Sequence, residues 1–167
     1  MRVLPVRLGP GTDLRQGLEQ LLQEQPEQAG CLLSGIGSLS VAQVRLAGRE
    51  ESTTLHGDLE ILSLAGTLST DGAHLHITVA DRAGSVTGGH LCRGSLVRTT
   101  AELVVGLLPG WQFHRALDPA TGHAELRITP QPPDGAPGPM AAEAEGRQIP
   151  GLRRRGHWVD VGAEAGP

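Results

Sequence analysis

Residues 66–91 read GTLSTDGAHLHITVADRAGSVTGGHL and carry three histidines within seventeen residues. Because alternate side chains of a strand share a face, residues 73–79 have an apolar face and a second face that carries His74 and His76. The alternation predicts a half-buried strand. His90 follows where a returning strand would bring it back toward the first two histidines.

The turn at residues 81–85, Asp-Arg-Ala-Gly-Ser, determines whether the third histidine joins the other two. Its length and its glycine fit a three-residue hairpin loop in which Gly84 takes the left-handed conformation. With that loop, His76 and His90 lie opposite each other, with Cβ atoms about 4.5–5.5 Å apart. A loop one residue shorter or longer, or a bulge at residues 88–89, would turn His90 to the other face.

Three imidazoles that meet at one point form a candidate metal site. Neutral imidazole nitrogens suit zinc, copper, iron and nickel, and three of them leave a tetrahedral ion with one open position. We predict that His74, His76 and His90 bind a divalent metal ion, with zinc as the first choice. The alternative is that the three histidines simply face solvent on the polar side of a hairpin.

Two further residues are candidates for a place beside these histidines. The same register puts Cys92 opposite His74, where the thiol would be a fourth ligand or a small buried apolar group. Glu102 lies in the apolar run TTAELVV, and a buried carboxylate needs a partner. It would be a fourth ligand, a hydrogen-bond partner of a ligating histidine or a member of an ion pair between subunits. Otherwise it faces water from the exposed side of a strand.

The composition is that of a globular chain with an acidic balance. Its 167 residues fit one domain, and 38% hydrophobic but 2% aromatic residues predict a core of Leu, Val, Ile and Ala. The net charge of −4 disfavours simple DNA binding, because phosphate contacts come from clustered basic residues. Two cysteines are too few for a disulfide framework. We expect neither a signal peptide nor a membrane span, hence an intracellular protein, with cytoplasm and nucleus not distinguished.

The order of patterns along the chain is a strand, one helix and then many strands. Asp13 is a suitable N-cap, and leucines at i, i+4, i+7 and i+8 from Leu14 predict a helix that ends by Pro26. Besides the histidine hairpin, strands are predicted at residues 2–8, 31–37, 41–46, 52–65, 95–108, 111–117 and 123–128. This order predicts an α+β domain with a mostly antiparallel sheet and one main N-terminal helix.

A change of composition marks the end of this domain. Residues 130–138, PQPPDGAPG, are incompatible with helix and sheet, and residues 141–167 are rich in Gly, Ala and Glu. We predict a domain at residues 1–129 and a Pro-, Gly- and Ala-rich C-terminal tail at residues 130–167 that is largely disordered.

Three motifs carry a resemblance to a known family. They are LEILSLAGTLSTDGAHLHITVADRAGSVTGGHLCRGSLVRTTAELVV at residues 59–105, GIGSLS at residues 35–40, and Gly-x-Asp-Leu at the predicted start of the helix. Together they resemble the PPC domain (plant and prokaryote conserved), which also occurs in AT-hook nuclear proteins of plants. The likeness covers residues 2–129.

The resemblance implies a fold, an assembly and a metal. Members have an α+β fold that assembles as a homotrimer. In prokaryotic members the histidines of the HLH and GGHL motifs are associated with a bound metal, and here these positions are His74, His76 and His90. Members also tend to have a glutamate at the position of Glu102. The resemblance therefore implies the same three ligands that the strand pattern predicts.

The resemblance also implies partners. Plant members contact transcription factors through the segment that matches residues 56–62, but HGDLEIL lacks the basic and aromatic character of that segment. The family's DNA-binding label follows from the AT-hook, an Arg-Gly-Arg-Pro core, and RRRGH at residues 153–157 lacks the second Arg and the Pro. A transcription-factor or DNA partner is a hypothesis on this basis, with direct DNA binding disfavoured.

Two classes of function follow from these observations. The first is a metal-containing PPC-type trimer that serves as a regulatory or binding module without catalysis. The second is an enzyme of unknown substrate, in which zinc on three histidines would activate water and Glu102 would act as base or orienting group. A protein side chain as fourth ligand would indicate a structural metal, whereas an accessible pocket at that position would favour chemistry.

Overall fold

A computed structural model describes residues 1–131, 152–155 and 158–161 of the chain. Residues 1–131 contain the elements β1 (Arg2–Leu8), α1 (Leu14–Gln23), β2 (Ala29–Arg45), β3 (Thr53–Ser69), β4 (Gly72–Ala80), β5 (Val86–Leu91), β6 (Leu96–Leu107), β7 (Trp111–Leu117) and β8 (Ala124–Pro130). The predicted architecture, a mostly antiparallel sheet with one main N-terminal helix, is confirmed, and the helix is short, at ten residues.

The helix α1 begins at its predicted cap and packs its leucine stripe on the sheet. Asp13 Oδ1 accepts a hydrogen bond from the backbone N–H of Gln16 at 3.0 Å, as expected of an N-cap. Asp13 Oδ2 accepts a second from the backbone N–H of Gly94 at 2.6 Å, which ties the start of the helix to the chain just before β6. The buried stripe consists of Leu14, Leu18 and Leu22. No helix of the described residues is long and apolar enough to cross a membrane.

The main sheet has the order β1-β6-β2-β3-β4-β5, with antiparallel pairing between neighbours. A further pairing joins β2 to β5, with Val44 opposite Leu91 and Arg45 opposite His90, so that strands β2 to β5 form a closed circuit. β1 lies at the open edge, where a proline is tolerated, and Pro5 is accommodated there. The closed circuit brings β2 next to the histidine hairpin.

Two strands are longer than the sequence predicts. β2 and β3 each run for 17 residues, whereas the pattern predicts separate strands at residues 31–37 and 41–46 in the region of β2. The register of β2 shifts between Leu39 and Val41. Such a bulge moves the following side chains to the opposite face, so the alternation is interrupted although the strand continues.

The core has the predicted composition. Buried side chains of Leu, Val, Ile and Ala fill the space between α1 and the inner face of the sheet. β4 contributes its alternate residues, each at most 6% exposed, which are Ala73, Leu75, Ile77 and Val79. The other face of β4 is consequently the one that carries the histidines.

The predicted final hairpin forms a separate two-stranded sheet of β7 and β8. The backbone N–H of Phe113 donates to the carbonyl of Gln28 at 3.1 Å. The backbone N–H of Arg115 donates to Asp71 Oδ2 at 2.7 Å. These bonds fix the hairpin beside the turn between β3 and β4, near the histidines.

The remaining described residues belong to a second compact unit, which extends from Pro132 to Pro167. They form two antiparallel strands, β9 (Leu152–Arg155) and β10 (Trp158–Val161), with Trp158 opposite Arg155. The disorder predicted for residues 130–167 stays a prediction, because apart from residues 130–131 and these two strands the region lies outside the described residues.

Candidate metal centre

The turn between β4 and β5 has the predicted three-residue loop. The backbone N–H of Asp81 donates to the carbonyl of Ser85 at 3.0 Å, and that of Gly84 donates to the carbonyl of Asp81 at 2.9 Å. Gly84 has φ +82°, the left-handed conformation that glycine adopts without strain. The ladder that starts from this turn pairs His76 with His90, so the predicted register is confirmed.

The three histidines face one another across the two strands. The ring centroids of His74 and His76 are 5.2 Å apart, those of His74 and His90 4.9 Å, and those of His76 and His90 5.7 Å. One nitrogen from each ring lies within 4.8 Å of the others. Two ligands at about 2.0–2.1 Å from a tetrahedral zinc ion are about 3.3 Å apart, so the nitrogens would approach one another by at most about 1.5 Å on binding such an ion.

The ring nitrogens of this cluster have no hydrogen-bond partner among the described residues, and their contacts are with one another. Burial lowers the pKa of His90 to about 4, with further contributions from the charges of His74 and Arg45. Burial also lowers the pKa of His74, and the positive charge of Arg115 adds to the effect. His74 and His90 are therefore neutral at pH 7, the form in which imidazole binds a metal. The donor set fits zinc.

Cys92 does not lie opposite His74 as the register predicted. The β4–β5 ladder ends at the pair of His76 and His90, and β5 itself ends at Leu91. The backbone N–H of Cys92 donates instead to the carbonyl of Gln43 on β2 at 2.9 Å. The register therefore holds as far as His90, and Cys92 lies beyond the end of β5.

Glu102 is not brought to the histidines either. It lies on β6, between Arg7 of β1 and Ile36 of β2, and its side chain is exposed. The solvent-facing interpretation of this glutamate accounts for its position. Among the described residues, the group that could hold a metal consists of the three histidines, without Glu102 or Cys92.

The sequence pattern missed the arginines that surround this cluster. A cavity of about 570 Å³ is lined by His74 and His90 together with Arg15, Arg45 and Arg115. These arginines come from α1, β2 and β7, and no local motif connects them with the hairpin. The closure of β2 onto β5 brings Arg45 to the site, and the packing of the β7–β8 hairpin brings Arg115. Arg15 is held there by hydrogen bonds to the carbonyls of Ala73 and Leu91.

Comparison with known proteins identifies the family. The chain belongs to the Plants and Prokaryotes Conserved (PCC) domain family, also abbreviated PPC, whose model matches residues 1–109. Bifunctional protein GlmU of Synechococcus sp. (strain JA-2-3B'a(2-13)) is 52% identical to it over 130 residues. That match covers 78% of this chain and 21% of the GlmU protein, so the chain spans about a fifth of the length of that relative.

Solved structures share the fold. A hypothetical protein from Salmonella cholerae-suis is 39% identical with a TM-score of 0.76, and the match covers 78% of this chain and 94% of that one. A metal-containing protein from Archaeoglobus fulgidus is 32% identical with a TM-score of 0.65, covering 75% and 92%. A protein from Ralstonia eutropha JMP134, named a putative DNA-binding protein, is 25% identical with a TM-score of 0.64, covering 75% and 90%.

Proposed function

We propose that this PPC domain holds a divalent metal ion, zinc, at His74, His76 and His90, and serves as a metal-containing binding module of regulatory function. The observation that carries this proposal is the convergence of three imidazoles whose nitrogens have no other partner in the described part of the chain. The Archaeoglobus fulgidus relative, which is named a metal-containing protein, supports it.

The metal would have an accessible position. No side chain of the described residues joins the three histidines as a fourth candidate ligand. His74 and His90 line the 570 Å³ cavity, and His74 and His76 line a second cavity of about 360 Å³. An ion held only to stabilise the fold is normally closed by four protein ligands. The arrangement therefore favours a metal ion whose open position binds a molecule from outside the protein.

Elemental analysis tests the proposal. The purified wild-type chain is expected to contain about one zinc per chain, and His74→Ala and His90→Ala to lose most of it. His56→Ala is the matched control, because His56 is exposed on β3 and does not belong to the cluster. Equal metal content in all four proteins would remove the site.

The accessible cavity also supports a second candidate, a zinc-dependent enzyme of unknown substrate. Zinc held by His74, His76 and His90 would supply Lewis acidity and would lower the pKa of a water molecule bound to it. Glu102, the base that the sequence predicts, is exposed on β6, so the carboxylates that could move a proton in the cavity are those of Asp71 and Glu125. Turnover that requires Glu125 would favour the enzyme, and binding without turnover favours the module.

Assembly as a homotrimer is a further part of the proposal. Large apolar side chains are exposed on β1, β2 and β3, each between 47% and 56%, and these are Val3, Leu33, Ile36 and Leu62. Such residues mark association surfaces when they are grouped. Light scattering is expected to give three times the mass of one chain, and a monomer would contradict the assembly.

Direct DNA binding is the least supported partner. The net charge of −4 opposes contact with phosphates, although the name of the Ralstonia eutropha relative raises the question. We expect no mobility shift with duplex DNA at low salt. A mobility shift that weakens steeply with salt would instead establish DNA as a partner. If no shift is seen, the partner proposed for a regulatory module is a protein, such as a transcription factor.

A further inference from the structure

The cavity beside the histidines has an excess of positive charge. Three guanidinium groups line it, those of Arg15, Arg45 and Arg115, against two carboxylates, those of Asp71 and Glu125. Among the side chains that line it, the guanidinium groups therefore outnumber the carboxylates by one. The volume of about 570 Å³ suits a small molecule.

Arg45 lies directly across the sheet from two of the proposed metal ligands. The ladders place His76 of β4 opposite His90 of β5, and His90 opposite Arg45 of β2. Directly opposed residues of antiparallel strands project from the same face, so these three side chains share one face of the sheet. The Arg45 guanidinium makes one long hydrogen bond, from Nη1 to the carbonyl of Arg49 at 3.4 Å. It has no carboxylate partner among the described residues.

Arg115 approaches the same face from the β7–β8 hairpin. Its Nη2 lies 3.4 Å from Oγ1 of Thr67, and Thr67 is opposite His74 in the β3–β4 ladder. Burial lowers the pKa of Arg115, while Glu125 opposes this effect. The side chain is half-buried and forms no ion pair with the described residues. A half-buried guanidinium without such a partner is suited to an anionic ligand.

Arg15 has a different role. Its guanidinium donates to Glu19 Oε1 at 2.9 Å, to the carbonyl of Leu91 at 3.0 Å and to the carbonyl of Ala73 at 2.9 Å. These bonds fix the ends of β4 and β5 nearest the cavity. Glu19 offsets the charge of Arg15 and helps to hold it in place, while Arg45 and Arg115 retain donors for a ligand.

We propose that this cavity binds a small-molecule oxyanion, a carboxylate or phosphate group, between Arg45 and Arg115 and next to the histidine cluster. Guanidinium donors match both groups with paired, charge-assisted hydrogen bonds. The proposal rests on the proposed metal site for the ligand's position beside the ion, but the arginines and the cavity exist without the ion. It assigns a substrate or effector class to the binding module, namely small anionic metabolites.

Calorimetric titration of the zinc-loaded full chain with succinate and with inorganic phosphate tests this assignment. Arg45→Gln and Arg115→Gln are each expected to weaken binding about tenfold, the loss of one charge-assisted contact. Arg82→Gln removes the same charge at the exposed loop of the β4–β5 hairpin and is expected to leave binding unchanged. Zinc content is measured on every variant, and the stronger of the two probes identifies the carboxylate or the phosphate class.

The outcomes are distinguishable. Zinc bound at full content with neither probe binding, or with Arg82→Gln weakening binding as much as the cavity variants, would overturn the oxyanion site and leave the metal site intact. A chain that takes up no zinc but binds a probe through Arg45 and Arg115 would overturn the metal site and support the oxyanion site. A chain that neither takes up zinc nor binds a probe would overturn both the metal site and the oxyanion site.

Discussion

Gly66 holds β3 against β4 at the level of the histidines, and its substitution gives a sharp test of the geometry. It lies opposite Leu75, next to the pair of Thr67 and His74, and has φ +145°. A Cβ at this position would overlap the carbonyl oxygen of His74. Because the overlap is with backbone, no side-chain rotation relieves it. We predict that Gly66→Ala separates the two strands beside the metal ligand.

Gly57, on the same strand, is the control for the loss of stability expected of Gly66→Ala. Gly57 also has positive φ, +125°, but a Cβ there meets nothing within 4 Å. Gly57→Ala should therefore cost only the backbone strain, about 1–2 kcal/mol. Gly66→Ala adds the weakening of about two ladder hydrogen bonds at about 1 kcal/mol each, for a total of about 3–4 kcal/mol.

Urea denaturation measures both losses, and zinc titration measures the consequence for the site. Gly66→Ala is expected to be about 2 kcal/mol less stable than Gly57→Ala and to bind zinc more weakly, because His74 moves. Gly57→Ala is expected to keep wild-type zinc affinity. Equal destabilisation by the two substitutions would refute the argument that the close approach of β3 and β4 at Gly66 positions His74.

Three further predictions concern the helix, the turn and the exposed sheet face. Burial raises the pKa of Glu19, but hydrogen bonds from Arg15 and Arg93 hold it below its usual 4.5. The contribution of Glu19 to stability is therefore complete above pH about 4.5 and is lost as the pH falls through the lowered pKa. Glu19→Gln should be about 1–2 kcal/mol less stable than the wild type at pH 7. Denaturation at a series of pH values should show that the variant lacks this pH dependence. Asp81→Ala removes an acceptor for two backbone N–H groups of the hairpin loop and should cost about 1 kcal/mol in thermal denaturation, with zinc stoichiometry retained. Ile36→Asp, at a side chain 56% exposed, should reduce the mass in light scattering to that of one chain without loss of zinc, and an unchanged mass would place the association surface elsewhere.

Local chemistry made the histidine hairpin predictable. The loop at residues 81–85 needs only its own length, Asp81 and Gly84 to set the register, and the register alone places His76 opposite His90. The apolar face of β4 follows from alternation within nine residues. The same is true of α1, where the cap residue and the leucine spacing are adjacent in the chain.

Nonlocal pairing was not predictable from these patterns. Cys92 would continue the hairpin ladder if β5 ran further, but β5 ends at Leu91 and the backbone N–H of Cys92 bonds to Gln43 of β2. Arg45 reaches the site because the pairing of β2 with β5 closes the strand circuit. Arg115 reaches the site because the β7–β8 hairpin packs beside the histidines. The contacts of these residues join positions far apart in sequence, so no periodicity or spacing indicates them.

X-ray absorption at the zinc edge of the metal-loaded chain tests the central claim most directly. Imidazole ligation by His74, His76 and His90 predicts three nitrogen scatterers at about 2.0–2.1 Å with imidazole multiple scattering, and no sulfur at about 2.3 Å. The fourth position should show a light atom that changes when an oxyanion is added. A sulfur shell, which would require Cys31 or Cys92, or a spectrum of fully hydrated zinc would contradict this ligand set.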